Sequence, residues 1–129
     1  MSVEKVLNPN FEILTKVSYL ESESKPDSDY FFFTYRITIL NKSNTPAQLM
    51  SRHWIITDGH GKIEEVRGAG VVGQQPKLQP GQSFEYDSAC PLPTKSGSMR
   101  GFYQFVGKHG ETFEIEIPEF FLIAPSALH

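Results

Sequence analysis

Cysteine is almost absent from this 129-residue chain, which contains one, Cys90. A single cysteine excludes an internal disulfide and any zinc site built from several thiolates. Long apolar runs are absent as well: no stretch reaches the roughly 18 residues that a membrane-spanning helix needs, and the N-terminal segment has no run of signal-peptide length. We therefore expect a cytoplasmic protein that does not insert into a membrane.

Positive charge is also scarce, because 12 lysines and arginines stand against 15 aspartates and glutamates. The formal net charge of -3 gives no electrostatic reason to bind nucleic acid or an anionic membrane. Basic residues do not alternate regularly with aromatic ones, as they do in many proteins that bind single-stranded nucleic acid. We expect no nucleic-acid partner.

Helical periodicity is absent too, and the apolar residues instead recur with a period of two. In the clearest window, apolar side chains alternate with Thr34, Arg36 and Thr38 on the opposite face: Phe31, Phe33, Tyr35, Ile37 and Ile39. Such alternation is typical of a strand with one buried face. Seven such windows follow one another, separated by turns rich in Gly, Pro, Asn and Asp. The pattern predicts an all-β fold, a fibronectin type III or immunoglobulin-like β-sandwich of about seven antiparallel strands.

The third window, "AQLMSRHWIITD", has a charged residue within its apolar pattern. Straight alternation places Met50, Trp54 and Ile56 on one face, together with Arg52. The tryptophan on that face is expected to fill the core of the sandwich. The "DGHGK" segment that follows the window predicts a tight hairpin turn into the next strand.

Five motifs give the chain a family resemblance. They are W-x-I-x-D (Trp54–Asp58), G-x-G-V-V-G-x-Q-P (Gly68–Pro76), L-x-P-G (Leu78–Gly81), G-x-M-x-G (Gly97–Gly101) and I-P-x-F (Ile117–Phe120). With them the chain resembles the ApaG family over a core of about residues 11–122. We interpret residues 1–129 as a single domain of this type.

The resemblance implies a fibronectin-III-like sandwich, in agreement with the strand count, and it implies little chemistry. ApaG proteins of bacteria are linked by name with cobalt resistance and magnesium efflux. Similar domains in eukaryotic F-box proteins and in a polymerase-interacting protein look like protein-recognition modules. The family has no established catalytic residues, so the resemblance supplies none here.

The segment "GAGVVG" spells G-x-G-x-x-G with Gly68, Gly70 and Gly73. A dinucleotide site needs a helix directly after these glycines, and Pro76 and Pro80 leave no room for one. Structural glycines that permit positive φ and close packing, where the chain crosses or turns at an edge of the sandwich, are the favoured interpretation. The alternative is a loop that binds a small anion, pyrophosphate or nucleotide phosphate, and its candidate residues are Arg67, Gly68, Gly70, Gly73, Gln74, Gln75 and Lys77.

No catalytic or metal-binding constellation is evident. His53, His60, His109 and His129 show no ligand spacing, so no metal or other cofactor is predicted. Cys90 lies in "SACPLP", which matches no known nucleophile motif. We therefore expect a protein that is not an enzyme.

Three aromatic residues fall on the faces opposite the predicted core: Tyr30, Phe32 and Phe102. Exposed aromatic side chains on a sheet favour a partner surface. The sequence thus predicts a non-enzymatic binding module whose partner is another protein, with sensing of an anion by the glycine loop as the alternative. Open sheet edges also make a dimer conceivable.

Overall fold

The computed structural model describes residues 10–128, so the N-terminal residues considered for a leader and His129 lie outside the described part. The strands in chain order are β1 Phe11–Tyr19, β2 Phe31–Asn41, β3 Ala47–Asp58, β4 Ile63–Ala69, β5 Lys77–Leu78, β6 Ser83–Leu92, β7 Ser96–Gly107 and β8 Thr112–Ile123. The seven windows predicted from alternation all form strands, and β5 adds a short eighth. Helix in the described part is limited to short 3-10 segments at Glu21–Glu23, Pro26–Ser28 and Pro125–Leu128.

The strands form two antiparallel sheets. The smaller has the order β1-β2-β6, and the larger has the order β4-β3-β7-β8, with β5 pairing to β3. The larger sheet thus has five strands, four in the main path and the short β5 beside them, and its packing on the three-stranded sheet makes a fibronectin-III-like sandwich, so the predicted fold class is confirmed. None of the helices in residues 10–128 has the length and apolar character needed to cross a membrane.

Alternation on β2 builds one wall of the core. Phe33, Ile37 and Ile39 are fully buried, and Phe31 and Tyr35 are nearly so. From the opposite sheet, β7 contributes Tyr103 and Phe105, among others, to the same core cluster. The inward faces of both sheets therefore meet as the sequence pattern predicts.

The predicted inward face of β3 is partly wrong. Leu49 is fully buried, whereas Met50, which alternation grouped with Trp54, is only half-buried. The reason is a register shift between Leu49 and Ser51 in the pairing of β3 with β7, where Met50 forms a β-bulge. Because the bulge inserts one extra residue, Leu49 points inward before it and Arg52 and Trp54 point inward after it.

The two long sides of the sandwich are closed to different degrees. At one side β1 packs against β8, and three phenylalanine rings fill the junction. The centroid of Phe11 lies 4.9 Å from that of Phe105 and 5.9 Å from that of Phe113. At the other side the terminal strands β4 and β6 are separated by a cleft, and this open side contains the candidate site.

Candidate functional site between strands β4 and β6

The β4–β6 cleft has a volume of about 470 Å³. Its lining residues come from five strands, the turn before β4 and the segment after β6: Tyr35, Arg52, Trp54, Ile56, Asp58, Lys62, Glu64, Val66, Ser88, Ala89, Cys90, Pro91, Leu92, Pro93 and Met99. The volume falls in the range of binding pockets, and the lining combines apolar side chains with a few polar ones, as such pockets usually do.

Aromatic side chains make the floor of the cleft rigid. Trp54 is 3% exposed, and its ring meets those of Tyr35 and Phe120 edge-on at centroid distances of 5.6 and 5.9 Å. Edge-to-face packing of this kind stabilises ring positions beyond the burial of their area. Trp54 is therefore the core residue that the sequence predicted, and it also lines the cleft.

Arg52 is one of four charged residues that line the cleft, with Asp58, Lys62 and Glu64, and the bulge at Met50 turns it inward. Its Nη1 donates hydrogen bonds to the carbonyl oxygens of Ala69, at 3.1 Å, and Gly70, at 3.0 Å. No ion pair joins Arg52 to a carboxylate of residues 10–128. A guanidinium has five N–H groups, so donors remain for a further acceptor.

Gly68 lies directly against the guanidinium of Arg52. It pairs with Arg52 across the β3–β4 ladder, and a Cβ at this position would lie 2.8 Å from Arg52 Nη1. The residue is in regular strand conformation and not in a loop. The expectation of a positive φ is therefore wrong for Gly68, whereas the close packing expected of these glycines is present, because Gly68 lies against the guanidinium of Arg52.

Three tyrosine hydroxyls lie in the core beside Arg52. The hydroxyls of Tyr86 and Tyr103 form a hydrogen bond of 2.5 Å, and Tyr35 bonds to Ser88 at the cleft wall. Burial raises the pKa of each of the three phenols, so all are uncharged at neutral pH. They add hydrogen-bonding groups to the interior without adding charge.

Cys90 also borders the cleft and is 5% exposed. Burial raises the pKa of its thiol to about 11, and the nearby carboxylate of Glu64 adds to the shift. The residue is therefore a protonated thiol at neutral pH, the form that is a poor nucleophile.

The glycine segment forms a tight hairpin at the end of β4. Val71 N donates to Gln74 O at 2.8 Å, and Gln74 N donates to Val71 O at 2.9 Å. The central residues Val72 and Gly73 have φ of 43° and 78°, as in a type I′ turn. Gly70 has φ of 62°, so positive φ at Gly70 and Gly73 confirms the interpretation of these two as structural glycines.

The residues named for an anion loop make mostly internal contacts. Gly70 N donates to Met50 O at 2.9 Å, and the side-chain amide of Gln75 donates to the same oxygen at 2.9 Å. Arg67 is exposed and lies 3.7 Å from Glu65, and Lys77 is an exposed residue of β5. The backbone N–H groups of Gly70, Val71 and Gln74 thus donate to carbonyl groups of the protein itself.

The three aromatic residues named as a partner surface do not lie together. Tyr30 and Phe32, with ring centroids 6.2 Å apart, are at the outer face of the smaller sheet. Phe102 is on the outer face of the larger sheet, 6.2 Å from the ring of His53. Tyr30 is 39% exposed, whereas Phe32 and Phe102 are half-buried. Outer faces of opposite sheets point in opposite directions, so these residues form two separate surfaces.

His53 has a carboxylate partner on the outer face of the larger sheet. Its Nε2 lies 2.7 Å from Oε1 of Glu65. Within residues 10–128 no three His, Cys, Asp or Glu side chains are grouped so that they could hold a metal ion.

The ApaG domain model matches residues 21–107 of this chain. The chain belongs to the ApaG family. The ApaG protein of Bdellovibrio bacteriovorus is 65% identical over 127 residues, which cover 98% of this chain and 100% of that protein. The ApaG protein of Dechloromonas aromatica is 52% identical over 92% of this chain and 93% of its own length. A crystal structure of the Bordetella pertussis protein described as ApaA superposes with a TM-score of 0.88 at 48% identity, covering 94% of this chain and 98% of that one.

Sequence reasoning missed the cleft and the role of Arg52. A usable signal was present, since a charged residue shares the predicted core face of β3 with Trp54. An arginine in that position requires either an internal partner or a route to solvent. The signal does not say which strands end the two sheets, and it is the positions of β4 and β6 that create the opening.

Proposed function

We propose that this ApaG-family protein is a non-enzymatic protein-binding module and that the β4–β6 cleft receives an extended segment of the partner. The observation that carries the proposal is the cleft itself, about 470 Å³ between the terminal strands of two sheets. Pockets at such edges can receive a side chain while the backbone of the bound segment pairs with an open strand.

Strand β6 is the edge that we assign to the partner backbone. Six consecutive residues, 88–93, line the cleft, so both the side chains and the main chain of β6 face it. From β4 the lining residues Glu64 and Val66 alternate, so that strand presents one side-chain face. A partner segment beside β6 would place an apolar side chain over Trp54 and Met99.

The family link with cobalt resistance and magnesium efflux, implied by resemblance, suggests where a partner is to be sought. We propose that the protein acts in the cytoplasm on a component of divalent-cation efflux. Cells grown with excess cobalt or magnesium are therefore the first material for the binding experiment.

A photo-crosslinking amino acid at the exposed position Ala89, on the cleft rim, tests the assignment. We expect one saturable crosslinked protein, lost when Ile56 in the cleft is changed to Lys. The matched control places the crosslinker at Leu14, which is 54% exposed on the outer face of β1. Circular dichroism verifies that Ile56→Lys remains folded.

Equal crosslinking from positions 89 and 14 would contradict the proposal. So would a crosslink that persists in Ile56→Lys but disappears in Tyr30→Ala with Phe32→Ala, because the outer face of the smaller sheet would then be the binding surface. Backbone amide shifts at residues 68–75 on addition of ATP or pyrophosphate would favour the anion-binding alternative.

A further inference from the structure

Strand β4 is a terminal strand of the larger sheet, and its free edge extends over Ile63–Ala69. Its outer face has an exposed apolar residue, Ile63, at 60% exposure, followed by Glu65 and Arg67. An open edge with unpaired backbone groups pairs readily with another strand unless charge or shape prevents it. The identity of the strand that fits can be read from the side chains on each face.

The pairing of β4 with β3 shows which residues share a face. Glu64, Val66 and Gly68 lie opposite the inward residues Ile56, Trp54 and Arg52, so they form the cleft face. The outer face holds the alternate residues Ile63, Glu65, Arg67 and Ala69. In a continuous antiparallel sheet, directly opposed side chains lie on the same face.

We propose that β4 pairs antiparallel with β4 of a second copy of this chain, about a two-fold axis through Val66. This register opposes Glu65 to Arg67 of the second copy, and by symmetry Arg67 to Glu65. Ile63 opposes Ala69 of the second copy, and Val66 opposes Val66. Two ion pairs and an apolar centre therefore form from a single strand.

The cleft face supplies a further pair in the same register. Glu64 of the second copy opposes Gly68, the residue whose missing side chain leaves room for the guanidinium of Arg52. That carboxylate would thus arrive beside Arg52, which has no ion pair within residues 10–128. Glycine at position 68 serves both partners, because it admits Arg52 and leaves space for the incoming Glu64.

Neighbouring registers with the correct faces are unfavourable. An axis through Glu65 opposes Glu65 to itself, and an axis through Arg67 opposes Arg67 to itself. Like charges directly opposite in a sheet are destabilising. The charge pattern of β4 thus selects the register about Val66.

Two of the other sheet edges oppose self-pairing. On the outer face of β6, Glu85 and Asp87 are neighbours, so pairing of β6 with a second β6 about a two-fold axis brings acid against acid. Strand β8 has Glu114 and Glu116 on its outer face and is interrupted by Pro118. The β1 edge, in contrast, has Glu12 and Lys16 at complementary spacing and provides the matched control.

Sedimentation velocity over a concentration series tests the pairing. We expect a monomer–dimer equilibrium that weakens with salt, and Arg67→Glu or Glu65→Arg alone should weaken it about tenfold or more. An equimolar mixture of these two variants should restore the dimer, since the arginines of one copy then oppose the glutamates of the other. Glu64→Lys, which brings a cation to Arg52, should weaken it too.

Lys16→Glu on β1 should leave the dimer unchanged. All substituted side chains are exposed, so each variant is expected to fold, and circular dichroism checks that it does. A parent protein that is monomeric at every concentration would overturn the proposal. A dimer lost in Lys16→Glu, or a mixture of the two β4 variants that stays monomeric, would overturn it as well.

Discussion

Aromatic residues lie at both long sides of the sandwich, but they close one side and line a cleft at the other. At the closed side, Phe11, Phe105 and Phe113 pack against one another with ring centroids 4.9 to 5.9 Å apart. At the open side, the rings of Tyr35 and Trp54 also pack against each other, but both residues line the cleft. We infer from this difference that the closed side contributes more to the stability of the fold than the open side, where a cleft separates the two sheets.

Removal of an aromatic ring from the closed side should have the largest effect. Phe11→Ala leaves a cavity beside Phe105 and Phe113, and we expect the free energy of unfolding to fall by about 3–5 kcal/mol. Urea denaturation followed by circular dichroism measures the change. At the open side, Ile56→Ala is the comparison, and it should cost about 1 kcal/mol because Ile56 is half-buried beside solvent. Equal losses would contradict the contrast between the two sides.

In the hairpin that follows β4, substitution of Gly70 should destabilise the protein. A Cβ there would lie 2.2 Å from Gln74 O, in a residue whose φ is 62°. We expect Gly70→Ala to lower the free energy of unfolding by about 2 kcal/mol or more, from backbone strain plus this collision. Gly73→Ala is the matched control, since a Cβ at Gly73 meets nothing within 4 Å and only the positive φ costs energy, about 1 kcal/mol. A larger loss at Gly73 would refute this account.

Alkaline pH should lower the free energy of unfolding of the protein through Cys90, which lines the cleft at the open side. Burial raises the pKa of this thiol from 9.0 to about 11. A raised pKa means that the contribution to stability is complete below about pH 9 and is lost as the pH rises towards 11. The buried tyrosines, whose pKa values are also raised, add to the loss at higher pH. Urea unfolding measured across this pH range should show the decline in the free energy of unfolding. The decline should be smaller in Cys90→Ala. The same pH dependence in Cys90→Ala and in the parent protein would exclude the thiol as a cause.

The smallest expected effect is a gain at Val72. This β-branched residue has φ of 43° and is 51% exposed at the hairpin tip. Asparagine is favoured before glycine in a type I′ turn, so Val72→Asn should stabilise the protein by about 0.5–1 kcal/mol. Thermal unfolding measures the gain, with Val72→Thr as a control that keeps the branched Cβ. A loss of stability in Val72→Asn would indicate that the valine packs favourably where it is.

Much of the fold was predictable because alternation is local. The inward residues of β2, from Phe31 to Ile39, follow directly from the order of side chains along one strand. On β3 only the placement of Met50 was wrong, because Leu49 and Met50 are both apolar and the sequence does not show which of them a bulge displaces. Gly70 and Gly73 were interpreted correctly because Pro76 and Pro80 exclude the helix that a phosphate-binding interpretation requires. The role of Gly68 depends on Arg52, which is 16 positions away and adjacent only after the strands have paired.

The candidate site was less predictable because it depends on strand order. No property of Glu64 or Ser88 along the sequence shows that each belongs to the last strand of its sheet. Opposite sheets likewise separate Phe102 from Tyr30 and Phe32, although all three were expected at one surface. Contacts between distant segments can be predicted only when the order of the strands in the sheets is known. The alternation in the sequence predicts the strands themselves and not their order.

The bulge at Met50 gives that position an unusual kind of constraint. Its side chain is half-buried, so several residues should be acceptable there. Deletion of the residue should not be acceptable, because it would remove the bulge and turn the side chains on one side of position 50 to the opposite face of the sheet. Either Ala47 and Leu49 or Arg52 and Trp54 would then face solvent. The fold therefore requires that a residue be present at position 50 but does not require a particular side chain. We expect related sequences to differ in the residue type at this position and to have no deletion there.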